Sequence, residues 1–344
     1  MKNNRRQFIT TTALASLSIP FLGMKEKTVQ DDKSSLMTLK PAALNVGDLV
    51  AISSPAGAVW DDAQIDKFVS ILETLGFKVK KGKTLKEKYG YFAGTDELRA
   101  KEINDFFSDK EVKAIFCMKG GWGCARILDK LNYDTIKNNP KIIMGFSDIT
   151  SLLIGITSKT GLVTFHGPVG NSGWNDFTID YVKRILADKE KVSYAYPEDD
   201  GDKHYTITEG MAKGVLVGGN LTVLAGMMGS DYLPDWKNKI LFLEETGEEP
   251  YRIDRMLTQL KLAGVLKNIC GFVFGKCVKC EAEEPEKAFT LQQVLEQQIK
   301  PLGIPAFYGA MIGHIINKYT VPIGINAEMD AGTGFLKLLE TAVI

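Results

Sequence analysis

The chain has 344 residues, and its 42 Lys and Arg balance 42 Asp and Glu, leaving no net formal charge. That balance argues against nucleic-acid and membrane-surface roles, which want a basic excess, and leaves small-molecule or peptide chemistry as the starting expectation. The length exceeds what one hydrophobic core usually serves, so two domains are expected.

The first residues read as an address rather than as part of the fold. Asn4, Arg5, Arg6, Gln7, Phe8 and Ile9 precede a modest apolar run from Thr10 to Gly23, too short for a permanent membrane helix. Paired Arg followed by Gln, Phe and Ile has the form of a twin-arginine-like export signal over residues 1–23. Residues 24–43 then read as a flexible leader. No Cys follows the apolar run, so a lipoprotein anchor is not expected, and no later stretch is apolar enough to span a bilayer. The expectation is an exported, periplasmic protein with no membrane span in the mature chain.

Strands and helices alternate over residues 44–195. Asp48 to Pro55 forms an apolar strand, Ala63 to Leu75 an amphipathic helix, Phe77 to Val79 a strand and Asp96 to Phe107 a charged helix. Val112 to Cys117 is a further buried strand running into Lys119, Gly120, Gly121, Trp122 and Gly123, with a helix expected from Ala125 to Lys130. This spacing means βαβ units and a parallel sheet, an α/β fold. Residues 196–212 turn polar and read as a linker. Over residues 213–344 short apolar runs, among them Ile240–Leu243 and Cys270–Phe274, are interrupted by helical patterns at Arg252–Ala263 and Leu291–Ile299. A second, β-rich α/β domain is expected there.

The most informative stretch runs from Lys141 to Thr150. Ile142, Ile143 and Met144 make a buried strand that stops on Gly145, Ser147 and Asp148 follow, and a helix begins at Ile149. Strand, tight turn carrying Ser and helix start describe a nucleophile elbow, with the helix N-terminus aimed at an oxyanion beside the hydroxyl. The competing reading is a plain N-cap by Ser147.

A serine nucleophile needs a base, and the chain offers three His. His204 lies in the polar linker as a solvated loop residue, and His166 reads as a structural turn residue. His314, after Gly313 at the end of an apolar segment, could be a presented base or a structural residue. Glu244 closes the apolar strand Ile240–Leu243 and could orient an imidazole, with Glu245 sent to the opposite face by strand alternation. Cys277 and Cys280 could form a local disulfide or remain free thiols. Neither they nor Cys117, Cys124 and Cys270 have the spacing of a zinc site.

Gly120-Gly121-Trp122-Gly123, Ile143 to Asp148, Gly218-Gly219-Asn220-Leu221, Leu243-Glu244-Glu245 and Gly313-His314 resemble, in order and spacing, the LD-carboxypeptidase family of serine peptidases. Phe92 to Leu98 and Pro250 to Arg255 also look like segments of that family, and the resemblance runs from about Leu44 to the C-terminus. It implies Ser147 as nucleophile, Glu244 and His314 as its triad partners, and an oxyanion hole from the backbone amides of Gly121 and Asp148. It implies a flavodoxin-like N-terminal parallel-sheet domain and a swivelling β-rich C-terminal domain, with the active site at their interface. It further implies a homodimer, no metal and no cofactor, and a murein tetrapeptide as substrate, cleaved between the L-centre of a diamino acid and terminal D-Ala.

Two departures from the family pattern stand out. Lys119 and Trp122 replace an Arg and a Tyr at the glycine turn, so Lys119, Arg252 and Arg255 become candidates for holding the substrate carboxylate. Trp122 and Asn220 complete the substrate-binding candidates. The export signal is the other departure, because relatives that recycle cell wall work in the cytoplasm. Two alternatives stay open: a microcin-C-immunity-type peptidase acting on a peptidyl or aminoacyl nucleotide, and a non-catalytic two-lobed periplasmic binding protein.

Overall fold

The computed structural model describes residues 37–196 and 204–344. The export-signal pattern, most of the expected leader and part of the expected linker lie outside the described residues. The N-terminal half runs β1 (Leu49–Ser53), α1 (Asp62–Thr74), β2 (Lys78–Lys81), α2 (Asp96–Ser108), β3 (Val112–Cys117) and α3 (Tyr133–Asn138). It continues through β4 (Ile142–Gly145), α4 (Ile149–Thr160), β5 (Thr164–His166) and α5 (Asp176–Leu186). The C-terminal half runs β6 (Ser193–Tyr194), β7 (Tyr205–Thr208), β8 (Met211–Asn220), α6 (Leu221–Gly226), β9 (Lys239–Glu244) and α7 (Pro250–Leu262). There follow β10 (Gly271–Gly275), α8 (Leu291–Ile299), β11 (Ala306–Ala310), β12 (Val321–Ile323), β13 (Ile325–Asp330) and β14 (Phe335–Leu338).

Two sheets result. The first has six strands in the order β12-β5-β4-β3-β1-β2, parallel except for β12. Its five N-terminal strands follow the flavodoxin-like order, in which ligands gather beyond the carboxyl ends of the strands near the β1/β3 switch point. β4 and β5 are buried along their whole length. Buried, near-continuous apolar strands are what a parallel sheet covered on both faces requires. Phe68 of α1 meets Phe116 of β3 edge-on at 6.4 Å, both almost fully buried. Burying such a ring contributes roughly 2–3 kcal/mol relative to leaving it exposed.

The second sheet is mixed, with eight strands in the order β6-β14-β13-β8-β9-β10-β11-β7. The chain does not divide cleanly between the two. β12 returns from the C-terminal half to pair with β5, and β6, which falls inside the expected N-terminal domain of residues 44–195, pairs with β14 instead. β7 lies inside the expected linker, where antiparallel pairing with β11 gives its backbone partners. The end of the expected leader is also tied down: Leu39 bridges to Leu162, and Ala43 hydrogen-bonds to the carbonyl of Ile344 at 2.9 Å. The expected helix after the glycine turn is a 3₁₀ segment, Cys124–Lys130.

The halves meet where α4 packs on β8. Thr150 accepts a hydrogen bond from the Asn220 amide at 3.0 Å. A Cβ on Gly219 would fall 2.5 Å from the Thr150 methyl, so only glycine lets the helix approach this closely. Among the described residues, no helix is long and apolar enough to cross a membrane.

Candidate active site

Ser147 sits between β4 and α4 with φ of 63°, a left-handed conformation unusual for a residue with a side chain. That geometry costs roughly 1–2 kcal/mol and is characteristic of an elbow. The plain N-cap reading fails, because the helix cap position is Asp148 and no side-chain capping bond is made. A Cβ on Gly145 would meet Ile149 at 2.9 Å, and one on Gly120 would meet the Ser147 Cβ at the same distance. Both glycines therefore make room for the bend. Among the described residues, the amides of Gly121 and Asp148 donate to no backbone carbonyl.

The C-terminal half brings a carboxylate and an imidazole to the same place. Glu244, at the end of β9, is fully buried, and its Oε2 lies 2.8 Å from His314 Nδ1. A Cβ on Gly313 would stand 3.0 Å from that oxygen, which explains the glycine before His314. Burial alone would raise the Glu244 pKa, but the hydrogen bond and charge of His314, with help from His166, bring it below the ordinary carboxylate value. Glu244 is thus an anion suited to fixing the imidazole tautomer.

Glu245 points elsewhere, as strand alternation requires. It accepts from the Thr222 amide and hydroxyl at 2.8 and 2.7 Å and from the Thr246 amide at 2.9 Å. Burial raises its pKa against those bonds. Its carboxylate holds the start of α6 and the turn after β9.

Ser147 and His314 line one cleft of about 240 Å³, together with Gly121, Trp122, Asp148, Asn220, Glu245 and Glu248. Among the described residues no hydrogen bond joins the Ser147 hydroxyl to His314, a looseness common in unliganded sites. Asn220 is already engaged: its Oδ1 caps α6 at the Val223 amide (3.1 Å), and its Nδ2 reaches Glu245 at 3.2 Å. The three expected cations do not line the cleft. Lys119 donates to the Ala58 carbonyl at 3.2 Å, and Arg255 lies over the Tyr251 ring. Arg252 is exposed and pairs at 3.5 Å with Glu248, which does line it. Trp122 is 53% exposed at the cleft, whereas Trp174 packs on Phe68.

His166 and Lys318 share the Phe146 ring with His314. The Phe146 ring lies 4.7 Å from His314 and 5.9 Å from His166, and the Lys318 ammonium sits 4.1 Å from its centre. Burial pushes the His166 pKa down to about 4 and that of Lys318 down to about 8. His166 closes β5 rather than sitting in a turn, and among the described residues neither of its buried ring nitrogens has a hydrogen-bond partner. His204 lies in the loop before β7, partly exposed, with its ring stacked on Tyr196 and its Nε2 3.3 Å from the Gly332 carbonyl. Lys318, Glu248 and Thr222 belong to none of the motifs read in the sequence, although Thr222 directly follows Gly218–Leu221.

Cys277 and Cys280 form a disulfide, and Cys117, Cys124 and Cys270 are free. No cluster of potential metal ligands occurs among the described residues. A larger cleft of about 450 Å³ beside the disulfide is lined by Tyr205, Phe289 and Gln292 among others and contains no paired acid and base.

An elbow serine beside a carboxylate-oriented imidazole is suited to acyl transfer. Residues 49–167 match the LD-carboxypeptidase N-terminal domain and residues 213–329 the LD-carboxypeptidase C-terminal domain. The chain belongs to the LD-carboxypeptidase family, and with it to the peptidases. It is 41% identical over 302 residues to the "Probable murein peptide carboxypeptidase" of Bacillus subtilis (strain 168), covering 86% of this chain and 92% of that relative. It is 31% identical over 324 residues to the microcin C7 self-immunity protein MccF of Escherichia coli, covering 85% and 93%. A solved structure of MccF in complex with glutamyl sulfamoyl guanosine aligns with a TM-score of 0.80 at 28% identity, covering 89% of this chain and 100% of that one.

Proposed function

We propose that the protein is a serine carboxypeptidase that removes terminal D-Ala from the L-centre of the diamino acid in murein tetrapeptides. The observation that carries this reading is the Glu244–His314 pair at 2.8 Å, opening into the cleft that the strained Ser147 also lines. The similarity to a murein peptide carboxypeptidase supports the substrate class.

In this reading His314, oriented by Glu244, takes the Ser147 proton as Oγ attacks the carbonyl carbon before D-Ala. The oxyanion is held by the Gly121 and Asp148 amides, with the N-terminal end of α4 adding its dipole. The C–N bond then breaks as His314 returns the proton to the departing D-Ala amine. A water, activated by the same imidazole, releases the acyl group and restores Ser147. Arg252, the one expected cation that ion-pairs with a cleft residue, is the candidate to draw in the substrate carboxylate. The reading includes an exported enzyme that works as a homodimer and needs no metal.

One observation favours a second reading. Trp122 offers an exposed ring at the cleft that a nucleobase could stack on, as the MccF-like alternative wants. Mass spectrometry of a murein tetrapeptide incubated with the protein separates the two. Loss of one alanine with the wild type and not with Ser147→Ala is the expected result. An unchanged tetrapeptide beside cleaved glutamyl sulfamoyl adenosine selects the second reading. Cleavage of neither points to a binding protein.

A further inference from the structure

The glycine turn carrying the Gly121 amide is held from outside the cleft by a side chain that no motif marks. Arg99, on α2, is fully buried, and its Nη1 donates to two carbonyls, Pro55 at 2.6 Å and Gly123 at 3.0 Å. Its Nη2 pairs with Asp96, and its guanidinium lies 4.6 Å from the centre of the Phe92 ring. Pro55 belongs to the loop after β1 and Gly123 to the turn after β3, so one planar cation ties together two loops at the switch point of the sheet. The same loops touch again where the Gly57 amide donates to the Gly120 carbonyl at 3.1 Å. On the opposite side of the turn, the Asp148 carboxylate accepts from the Cys124 amide at 2.8 Å.

We infer that Arg99 is a positioning residue that sets the Gly121 amide against Ser147, with Gly57 and the Asp148 carboxylate completing the brace. Gly121 and Gly123 have φ of 114° and 113°, so the turn is open to other conformations that glycine also tolerates. Something must select one of them. A turn fixed at Gly120, Gly123 and Cys124 leaves the amide between them little freedom. An oxyanion donor acts mainly in the transition state, so loosening it lowers turnover more than substrate affinity. Lys at position 99 keeps the charge, but its point-like ammonium cannot replace a planar fork that serves Asp96 and two carbonyls together.

This inference rests on the peptidase reading above. The test compares wild type, Arg99→Lys and Gly57→Ala for kcat and KM, on whichever of murein tetrapeptide or glutamyl sulfamoyl adenosine the wild type hydrolyses, with thermal melting as a folding check. Gly57→Ala perturbs the turn without removing a buried charge, because the new Cβ would lie 2.9 Å from the Gly120 carbonyl oxygen. It serves where Arg99→Lys does not fold. The expected result is a kcat about 10- to 100-fold lower with KM within about 3-fold of wild type. A folded variant with wild-type kcat, or a loss confined to KM, overturns the brace and leaves the peptidase reading standing. Hydrolysis of neither substrate by the wild type removes the peptidase reading, and the brace with it.

Discussion

The two walls of the cleft rely on different physics. The wall after β3 and β4 is a matter of backbone: a left-handed serine, two left-handed glycines and amides held in place by Arg99 and Asp148. The wall after β9 and β11 is a matter of charge: a buried carboxylate bonded to an imidazole, with His166 and Lys318 sharing the Phe146 ring beside it. Conformational strain is indifferent to pH and salt, whereas the charged cluster depends on protonation. The two walls should therefore respond separately to different perturbations.

The larger effect is expected on the charged side. His166 is neutral in its buried place, with a pKa lowered from 6.5 to about 4, while the unfolded chain restores the ordinary value. Between those values the unfolded state binds more protons, so stability falls as pH is lowered through that window, by about 3 kcal/mol in all. Glu244 also has a lowered folded pKa, so its contribution is present above its unfolded pKa and is lost as pH falls through the folded one. His166→Leu should flatten the upper part of the stability profile, between pH 6.5 and about 4.5, as measured by denaturant titration. An unchanged slope would show that His166 is not buried in its neutral form.

A smaller effect belongs to the backbone side. Ser147→Ala keeps a Cβ at φ of 63°, whereas Ser147→Gly removes it. The glycine variant should be more stable than the alanine variant by about 1 kcal/mol, since relief of strain outweighs the extra freedom of the unfolded chain. Glycine proving the less stable of the two would mean that the elbow is unstrained.

The elbow was legible in the sequence because its signals are local: an apolar run, a glycine, two small polar residues and a helical pattern between Ile142 and Lys159. The Glu244–His314 pairing was not, since the residues are 70 apart and only resemblance to the family joined them. The exchange of β12 and β6 between sheets was missed for a similar reason. β12 is three residues long and β6 two, so their place is set by distant partners rather than by periodicity. Arg99 reads in the sequence as one more charge on a charged helix, and only packing shows it buried.

The central claim is that residues from both walls act as one catalytic unit. It is tested by single-turnover hydrolysis of the tetrapeptide by Ser147→Ala, Glu244→Gln and the double variant. Each single change should slow turnover by roughly 10³-fold or more, and the double variant should be about as slow as the slower single. Losses that multiply in the double variant would mean that Ser147 and Glu244 act independently, and would contradict the account.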